Sequence, residues 1–483
     1  MHSDTIAALS SGALPSGVAV VRVSGPDAAD ALRRLCGALP AARRASLRTF
    51  RDASGDVIDR GIAIFFPGPA TATGEDVAEF HLHGGRAVVA ACLAAVTAAV
   101  GTRLAEAGEF PRRAFENGRI DLTEAEGLAD LIASETEGQH KAAILQASGT
   151  LRALYEGWMR RLTEARARIE ASFDFADEGD VDEDVADRTG ADIAGLVAEI
   201  RAHLARADRG EILRSGFKVA IVGAPNAGKS SLLNALADRE VAIVTEVPGT
   251  TRDVIEATLD LHGIPVRFSD TAGIRETSDK VEAIGVERAR DVMAKADLVL
   301  ALVDPQHGHG PLARFTELLS HVKHPMMLAG AEATHEELVT GTAKGRRRIL
   351  TVRTKADRPA PSGLAARFGN EWSDFRFDFS VSAKTGEGLD DLTQKIAELA
   401  AAAAGLDGGG SGAEAAIPLR TRQRELVTET LRILEEFVGN AALPPEIAAE
   451  TLRRASDTLG RVTGQVGVED LLGVIFSEFC IGK

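Results

Sequence analysis

The stretch that decides the fold of the central part of the chain reads FKVAIVGAPNAGKSSLLNALA, from Phe217 to Ala237. An apolar run, a glycine-rich loop and apolar residues at helical spacing predict a strand, a turn and a helix in that order. The loop residues Gly223, Gly228, Lys229 and Ser230 fit the pattern GxxxxGK[ST]. Glycines let backbone N–H groups approach phosphates, and the helix N-terminus adds the positive end of its dipole. The stretch therefore predicts a nucleoside triphosphate site.

The sequence around this loop extends the prediction over residues 216 to 385. The strand-like runs FKVAIVG, VRFSD, DLVLALVD, RILTVRT and FRFDFSVS alternate with helical or loop stretches, which is typical of a parallel sheet covered by helices. We expect Lys229 to reach the β- and γ-phosphates and the Ser230 hydroxyl to bind Mg²⁺. The other loop residues expected to contact GTP are Asn226, Ala227, Gly228 and Ser231.

Two short motifs after the loop complete the predicted phosphate site. GTTRD begins at Gly249, where a switch loop belongs, and its Thr251 is the candidate second hydroxyl on Mg²⁺. DTAG follows a strand, so that Asp270 can hold Mg²⁺ through water and the Gly273 N–H can meet the γ-phosphate. The residues expected around the nucleotide here are Thr245, Glu246, Val247, Pro248, Gly249, Thr250, Thr251, Asp270, Thr271, Ala272 and Gly273. Small Ras-like GTPases carry a water-positioning glutamine after DxxG, whereas this chain has Ile274, so catalysis must be arranged otherwise.

Base recognition is predicted from two further motifs. TKAD, from Thr354 to Asp357, follows one predicted strand, and SAK (Ser382, Ala383 and Lys384) follows the next. Asp357 can accept two hydrogen bonds from guanine, a pair that adenine cannot supply, and such buried bonds discriminate strongly. The usual pattern is NKxD. The side chain of Thr354 can do only part of the work of an amide, which leaves the strength of guanine recognition open; Lys355 is kept.

The rest of the chain predicts a multidomain protein. Residues 1–118 mix strand-like runs with turns and one apolar helix, which indicates an α+β domain. Residues 119–215 and 386–483 have helical patterns, so the α/β module of residues 216–385 is predicted to be inserted into one discontinuous helical domain. The first helical part is predicted to begin with a capping box formed by Thr123 and Glu126.

Composition restricts the class of protein. No apolar run reaches the roughly 18 residues that a membrane span needs, and Cys36, Cys92 and Cys480 form no metal-binding spacing, so we expect a cytoplasmic protein without disulfides. The net charge of −16 argues against a dedicated nucleic-acid binder. The acidic run Asp174–Asp187 lacks the EF-hand order of ligands, and a solvated turn between helices is favoured over a Ca²⁺ loop.

Taken together, the motifs resemble one family along essentially the full length, the tRNA-modification GTPases of the MnmE (TrmE) family. The resemblance rests on GVAVVRVSG, GEDVAEFHLHGG, GEFPRRAFENGRIDLTEAEGLADLI, GAPNAGKSSLLNAL, PGTTRDVIE, DTAGIRE, VEAIGVERA and the closing IFSEFCIGK. It implies a GTPase activated by K⁺ and by dimerisation of its G domains. The matching K⁺ positions are Asn226, Thr245, Val247 and Thr250, and Glu282 matches the residue that orients the attacking water.

The resemblance also implies a folate site in the N-terminal domain, holding 5-formyl- or methylene-tetrahydrofolate. Its contacts map onto Arg22, Glu79, Arg119 and Lys483, with Arg119 at a position where the family commonly has Lys. The closing FCIGK is expected to reach this site, in a partner subunit. Cys480 is then a candidate in the uridine chemistry, although a structural thiol remains equally open; the ending fits a prenylation motif poorly.

The implied function is installation of a carboxymethylaminomethyl or aminomethyl group at C5 of the tRNA wobble uridine. The implied partners are a second copy of the chain, tRNA and an FAD-binding protein of the MnmG type in a heterotetramer, with FAD carried only by that protein and no membrane involved. Two alternatives come from other classes. A ribosome-assembly GTPase of the Era/Der type would carry a KH domain, and a folate-dependent aminomethyltransferase would lack the nucleotide motifs.

Overall fold

The structure is a computed structural model that describes residues 4–99, 101–174, 184–224, 226–239, 242–243, 256–270, 292–304, 348–358, 377–406, 417, 420–440, 443–467, 469–477, 479 and 482. The chain forms two compact units. The first unit comprises Met1–Ala133, Ala143–Leu204 and Thr421–Lys483, and the second comprises Ser134–Ala142 and Ala205–Arg420. The α/β module is thus an insertion in sequence, as expected from the helical patterns on both sides of it.

The N-terminal part of the first unit is built on a six-stranded sheet. Its strands are β1 (Thr5–Leu9), β2 (Ser16–Ser24), β3 (Ser46–Arg51), β4 (Val57–Phe66), β5 (Val77–Gly84) and β6 (Thr102–Leu104), in the spatial order β3-β4-β5-β2-β1-β6. All neighbours are antiparallel except β1 and β6. The helices of this part are α1 (Ala28–Cys36), α2 (Arg86–Thr97) and α3 (Glu109–Glu116). Alternate residues of β2 such as Val21 and Val23 enter the core that α1 and α2 cover.

The helical part of the first unit combines two distant segments of the chain. The earlier segment supplies α4 (Leu122–Ala133), the end of α5 (Glu137–Ala147), α6 (Thr150–Asp174) and α7 (Asp184–Leu204), and the later one supplies α11 (Thr421–Gly439), α12 (Pro445–Thr463) and α13 (Glu469–Ser477). The residues of α5 up to Ala142 belong to the second unit. Helix α12 packs on α6 and α11, and α7 packs on α6 and α11. The prediction of one discontinuous helical domain agrees with this packing.

The start of α4 differs from the prediction. The amide of Glu124 donates to Asp121 Oδ1 (2.8 Å) and the amide of Asp121 donates to Glu124 Oε2 (2.7 Å), so these two residues form the capping box. The predicted box of Thr123 and Glu126 is wrong because both residues lie within the helix. The buried Glu126 instead accepts two hydrogen bonds from Arg422 of α11 (2.8 and 2.9 Å).

The second unit is built on a seven-stranded sheet in the order β13-β12-β11-β7-β10-β9-β8. Its strands are β7 (Phe217–Gly223), β8 (Ala242–Ile243), β9 (Glu256–Leu261), β10 (Ile264–Asp270), β11 (Leu298–Val303), β12 (Arg348–Arg353) and β13 (Phe379–Ser380). Neighbouring strands from β13 to β10 pair in parallel, whereas β9 pairs antiparallel with both β10 and β8. Strand β11 is buried along its whole length, as expected for a parallel strand covered on both faces.

Among the described residues, the second unit includes the helices α8 (Ala207–Ser215), α9 (Lys229–Ala237) and α10 (Leu389–Ala404). Helix α10 lies beyond residue 385, where the sequence analysis ended this module. Its apolar residues Leu392 and Ile396 are fully buried in the core of the sheet, so this unit extends further along the chain than its strands alone indicate. Within the described residues, no helix is both long and apolar enough to cross a membrane.

Candidate nucleotide site and N-terminal site

The phosphate loop lies at the carboxyl end of β7, near the middle of the parallel sheet. Asn226 and Gly228 both adopt left-handed conformations, with φ of 63° and 94°, and α9 begins directly after them. Gly223 has no room for a side chain, because an added Cβ would lie 2.7 Å from the Leu302 carbonyl oxygen of β11. The loop therefore turns back tightly and presents its backbone beside the N-terminus of α9, the arrangement that binds phosphate.

The lysine of the loop is held by the loop itself. Lys229 is buried, and its Nζ donates to the carbonyl oxygens of Gly223 (2.8 Å) and Ala224 (2.9 Å). Ser230 and Ser231 follow it in the first turn of α9. These contacts keep the ammonium group at the mouth of the loop, where phosphate oxygens can replace the carbonyl oxygens as partners. The phosphate loop, with Lys229 at its mouth and the N-terminus of α9 beside it, therefore fits a triphosphate.

The base-recognition loop follows β12, at the same edge of the sheet. Asp357 is exposed, and its Oδ1 accepts a hydrogen bond from the buried Ser382 hydroxyl at 2.7 Å. This hydrogen bond lowers the pKa of Asp357, so its carboxylate is ionised near neutral pH. Ala383 and Lys384 form the turn after Ser382, and the Lys384 charge lowers the same pKa further. The contact between the two motifs therefore orients the Asp357 carboxylate, which can accept a pair of hydrogen bonds from a base.

Hydrogen bonds tie the base-recognition loop to the phosphate loop at two points. The buried Thr354 hydroxyl donates to the Ala227 carbonyl oxygen at 2.7 Å. Lys355 Nζ donates to the Asn226 carbonyl oxygen at 3.1 Å. The hydroxyl that replaces the usual amide thus keeps a direct link between the loops.

One residue of this site was missed by the sequence analysis. Asp304 directly follows β11, is 4% exposed, and its Oδ2 lies 2.6 Å from Lys355 Nζ. The ion pair holds the Lys355 side chain while its backbone adopts a left-handed conformation. A signal was present in the sequence, because an acid at the carboxyl end of a buried parallel strand lies at the edge where ligands bind.

Much of the predicted switch region lies outside the described residues. This applies to Thr245, Glu246, Val247, Pro248, Gly249, Thr250, Thr251, Thr271, Ala272, Gly273 and Glu282. Asp270 is the last residue of β10 and pairs with Ile221 of β7, which places its backbone beside the phosphate-loop strand. Among the described residues, no group of three or more His, Cys, Asp or Glu side chains could hold a metal ion.

In the N-terminal domain, two of the predicted folate residues meet. Arg22 of β2 lies opposite Glu79 of β5 in the sheet ladder, and its Nε and Nη2 lie 3.1 and 3.0 Å from Glu79 Oε1. His81 Nε2 lies 3.2 Å from Glu79 Oε2, and the Phe110 ring lies 5.9 Å from the Arg22 guanidinium carbon. The period of two in β5 places His81 on the same face as Glu79. Phe110 could not be found in this way, since its contact with Arg22 depends on the packing of α3.

Arg119 lies in the segment between α3 and α4 and is exposed. A Cβ at Gly74 would lie 3.2 Å from Arg119 Cγ and 2.9 Å from Asn117 Cβ, so this segment packs against the loop before β5. Asn117 Nδ2 also donates to the Thr73 carbonyl oxygen at 2.8 Å. The position of Arg119 is thus fixed against a loop of the same domain as Arg22.

The C-terminal tail meets the same sheet. The Gly482 carbonyl oxygen accepts a hydrogen bond from Ser10 Oγ at 2.6 Å, and a Cβ at Gly482 would lie 1.9 Å from the Leu9 carbonyl oxygen. Ala8, the residue before Leu9, pairs with Arg22 in the sheet ladder. The tail therefore reaches the strand next to Arg22 within its own chain, whereas the sequence analysis expected it in a partner subunit. Cys480 and Lys483 lie outside the described residues.

Comparison with known proteins covers the whole chain. Residues 5–119 match the family described as GTP-binding protein TrmE N-terminus, and residues 122–480 match the MnmE helical domain. A protein of Brucella anthropi named tRNA modification GTPase MnmE is 49% identical over 480 residues, covering 99% of this chain and 98% of that protein. A protein of Rhizobium meliloti with the same name is 49% identical over 483 residues, covering 100% of both. The G domain of the T. maritima FeoB iron transporter aligns with 38% of this chain and 98% of its own, at 24% identity and a TM-score of 0.25. The matches over both segments and over the full length show that this chain belongs to the MnmE (TrmE) family of tRNA modification GTPases.

Proposed function

We propose that this chain is a K⁺-stimulated GTPase that, with an FAD-binding protein of the MnmG type, installs a carboxymethylaminomethyl or aminomethyl group at C5 of the tRNA wobble uridine. The nucleotide part rests on one observation, the two hydrogen-bonded links from Thr354 and Lys355 to the phosphate loop. They join a phosphate-binding loop to a loop that carries an ionised, oriented Asp357. This combination favours guanosine triphosphate over other nucleotides.

The described residues have separate roles in this proposal. Lys229 binds the β- and γ-phosphates once its Nζ exchanges the carbonyl oxygens of the loop for phosphate oxygens. Asp357 accepts the two guanine donors, while Ser382 holds it in place. Mg²⁺ would be held by the hydroxyls of Ser230 and Thr251, and it would neutralise charge on the phosphates.

Apart from Asn226, the residues proposed for catalysis lie outside the described set. Glu282 is proposed to orient the attacking water, in place of the glutamine that Ras-like enzymes carry. K⁺ would be held by Asn226, Thr245, Val247 and Thr250, and would offset charge that develops on the phosphates. Pairing of G domains in a homodimer is proposed to complete the site.

The folate part of the proposal is supported by the N-terminal site. The Glu79 carboxylate is an acceptor suited to the donor edge of a pterin, and the Arg22 and Arg119 cations suit the carboxylates of a glutamate tail. The hydrogen bond between Ser10 and Gly482 brings the tail, at Gly482, to the strand beside Arg22. We therefore propose that Lys483 contributes to folate binding and that Cys480 takes part in the uridine chemistry. The species bound is 5-formyl- or methylene-tetrahydrofolate.

The proposal includes a heterotetramer of two copies of this chain with two copies of the FAD-binding protein, acting on tRNA in the cytoplasm. FAD would belong to that protein alone. The Era/Der alternative requires a KH domain after the G domain. The described residues that follow α10 form the helices α11, α12 and α13, which gives that alternative no support.

The proposal is tested first by GTP hydrolysis with K⁺ exchanged for Na⁺. We expect faster hydrolysis in K⁺ and a loss of most activity in the Glu282→Ala variant. Failure to hydrolyse GTP in K⁺ buffer, or equal rates in the two salts, would contradict the proposed enzymology. Mass analysis of wobble nucleosides from cells that carry Cys480→Ser or Glu282→Ala then tests the tRNA chemistry, for which we expect unmodified uridine to accumulate.

A further inference from the structure

The N-terminal domain carries a dense group of arginines. The chain has a net charge of −16, yet residues 31–51 contain no Asp or Glu. The arginines of this segment, which we call the arginine rim, are Arg33, Arg34, Arg43, Arg44, Arg48 and Arg51. All are exposed except Arg48, which is half-buried. A positive surface of this density is unexpected on a chain with so many acids.

The rim occupies one edge of the sheet. Arg48 and Arg51 belong to β3, which ends the described sheet on one side, and Arg43 and Arg44 lie in the segment that leads into it. Arg33 and Arg34 lie in the last turn of α1, which packs on β3. At about 3.3 Å per residue, the strand β3 itself spans roughly 17 Å from Ser46 to Arg51.

Contacts between α1 and β3 show that the two groups of arginines are adjacent. Burial raises the pKa of the thiol of Cys36, the last residue of α1, to about 11, and the charge of Arg48 acts on this thiol in the opposite direction. The Arg43 guanidinium carbon lies 5.8 Å from the Phe66 ring of β4, the strand paired with β3. The end of α1, the loop before β3 and β3 itself therefore contribute arginines to one region of the domain.

The rim arginines mostly lack carboxylate partners. Within the described residues, Arg33 is the only rim arginine that forms an ion pair, with Asp30 at 2.5 Å. Arg43 and Arg51 donate instead to the carbonyl oxygens of Ala70 and Gly55. Arginines elsewhere are commonly neutralised. Arg103, for example, pairs with Asp4 and Glu109, and Arg453 pairs with Glu450 and Asp457. The rim charge is thus left for a ligand.

Two structural explanations account for only part of the rim. Charged side chains on an edge strand discourage pairing with another chain, which can explain Arg48 and Arg51. Cations near a helix C-terminus interact favourably with its dipole, which can explain Arg33 and Arg34. Neither reason applies to Arg43 and Arg44, which lie outside both elements and are exposed.

We infer that the arginine rim is a docking surface for the phosphodiester backbone of RNA, which is tRNA if the proposed function holds; the inference rests on that proposal. Guanidinium groups bind phosphate oxygens in pairs, are weakly hydrated, and release counterions from the RNA when they do so. The rim lies in the same domain as Arg22 and Glu79, on strands linked in the order β3-β4-β5-β2. Backbone contacts at the edge of the sheet would hold the RNA without reading its sequence.

The test compares two triple variants of the full-length protein. The rim variant carries Arg34→Glu, Arg44→Glu and Arg51→Glu. The control variant carries Arg160→Glu, Arg454→Glu and Arg461→Glu, three exposed arginines of α6 and α12 without an ion pair. Both variants change the net charge equally. Affinity for a fluorescent tRNA transcript is measured by anisotropy at several salt concentrations, with GTP hydrolysis and circular dichroism as checks of folding.

We expect the rim variant to bind tRNA at least tenfold more weakly than the control variant near 0.1 M salt. Its plot of log K against log salt should be shallower by about 2, since each lost phosphate contact removes roughly 0.7–0.9 from the slope. Equal loss in both variants, or no loss in either, would overturn the inference. Equally tight binding of polyglutamate and tRNA to the wild-type protein would also overturn it, because it would indicate a surface for an acidic protein.

Failure of the inference can be told apart from failure of the proposed function. Wild-type protein that modifies the wobble uridine in cells but binds no tRNA by itself would overturn only the rim. Unmodified tRNA in cells that carry the wild-type protein with its partner would count against the proposed function. GTP hydrolysis should be unchanged in both triple variants, because none of the substituted residues belongs to the unit that holds the nucleotide loops.

Discussion

Replacing Thr354 by Val tests whether the hydroxyl link between the two nucleotide loops matters for binding. Val has nearly the same shape as Thr but cannot donate a hydrogen bond, so the 2.7 Å bond to the Ala227 carbonyl oxygen is lost. The side chain is 4% exposed, and water therefore cannot easily replace the hydroxyl. A lost hydrogen bond of this kind costs about 1 kcal/mol, and more where the acceptor is left buried without a partner. We expect GDP and GTP affinity to fall by about 1–2 kcal/mol, or roughly 5- to 30-fold.

The assay is a fluorescence titration with a labelled guanine nucleotide, run beside a matched control. Thr351→Val removes a bond of similar length, from the Thr351 hydroxyl to Asp378 Oδ2 at 2.8 Å, in the strand that precedes the base-recognition loop. This control should lower the stability of the unit and leave nucleotide affinity nearly unchanged, whereas Thr354→Ser should retain most of the wild-type affinity. Wild-type affinity in Thr354→Val, or equal losses in the two valine variants, would refute the reasoning.

Three further substitutions test other contacts. Asp304→Asn removes the charge that holds Lys355, and we expect guanine nucleotide affinity to fall by about 1 kcal/mol in the same titration, with an unchanged value contradicting a positioning role. Burial raises the pKa of Asp121 from 3.8 to about 6, so the protonated form stabilises the fold below pH 4 and this contribution is lost as the pH rises through 6. The Asp121→Asn variant keeps the cap acceptor but has no carboxyl group that titrates. Urea unfolding should show its stability relative to wild type rising by up to about 3 kcal/mol between pH 4 and pH 7, since a pKa shift of roughly two units corresponds to about 1.4 kcal/mol per unit. A pH-independent difference would contradict this. Gly482→Ala places a Cβ 1.9 Å from the Leu9 carbonyl oxygen, which should displace the tail, so carboxypeptidase should release the last residues faster. The control is Gly473→Ala, whose Cβ meets nothing within 4 Å. Equal rates in the two variants would show that the tail is not held at Leu9.

Local patterns predicted the elements that contain their own signals. The run FKVAIVG became β7 with bounds at Phe217 and Gly223, and the residues after the phosphate loop became α9. These predictions succeeded because neighbours in sequence determine backbone conformation. Arg22 and Glu79, in contrast, were named only through the family resemblance, and their contact depends on the register between β2 and β5.

Contacts between distant segments could not be read in the same way. Glu126 has the spacing of a capping residue, but Arg422 and Gln423, almost 300 positions later, bind its carboxylate. Asp121 instead caps α4, because the helix begins at Leu122. Likewise, α10 has a helical pattern that fits either unit, and only its burial against the second sheet assigns it. Sequence periodicity identifies a helix but does not identify the surface on which it packs.

The contacts of Thr354 concern the geometry between the two nucleotide loops and not the choice of base. The hydroxyl donates to the phosphate loop, as the Lys355 ammonium does, so the geometry between the loops is maintained. Neither contact distinguishes one base from another, and among the described residues the oriented carboxylate of Asp357 is the group suited to that choice. Weakening the link at Thr354 should therefore reduce the affinities for guanine and hypoxanthine nucleotides by the same factor. A change at Asp357 should alter the ratio of the two affinities, because guanine, unlike hypoxanthine, has an exocyclic amine that can donate a hydrogen bond to this carboxylate.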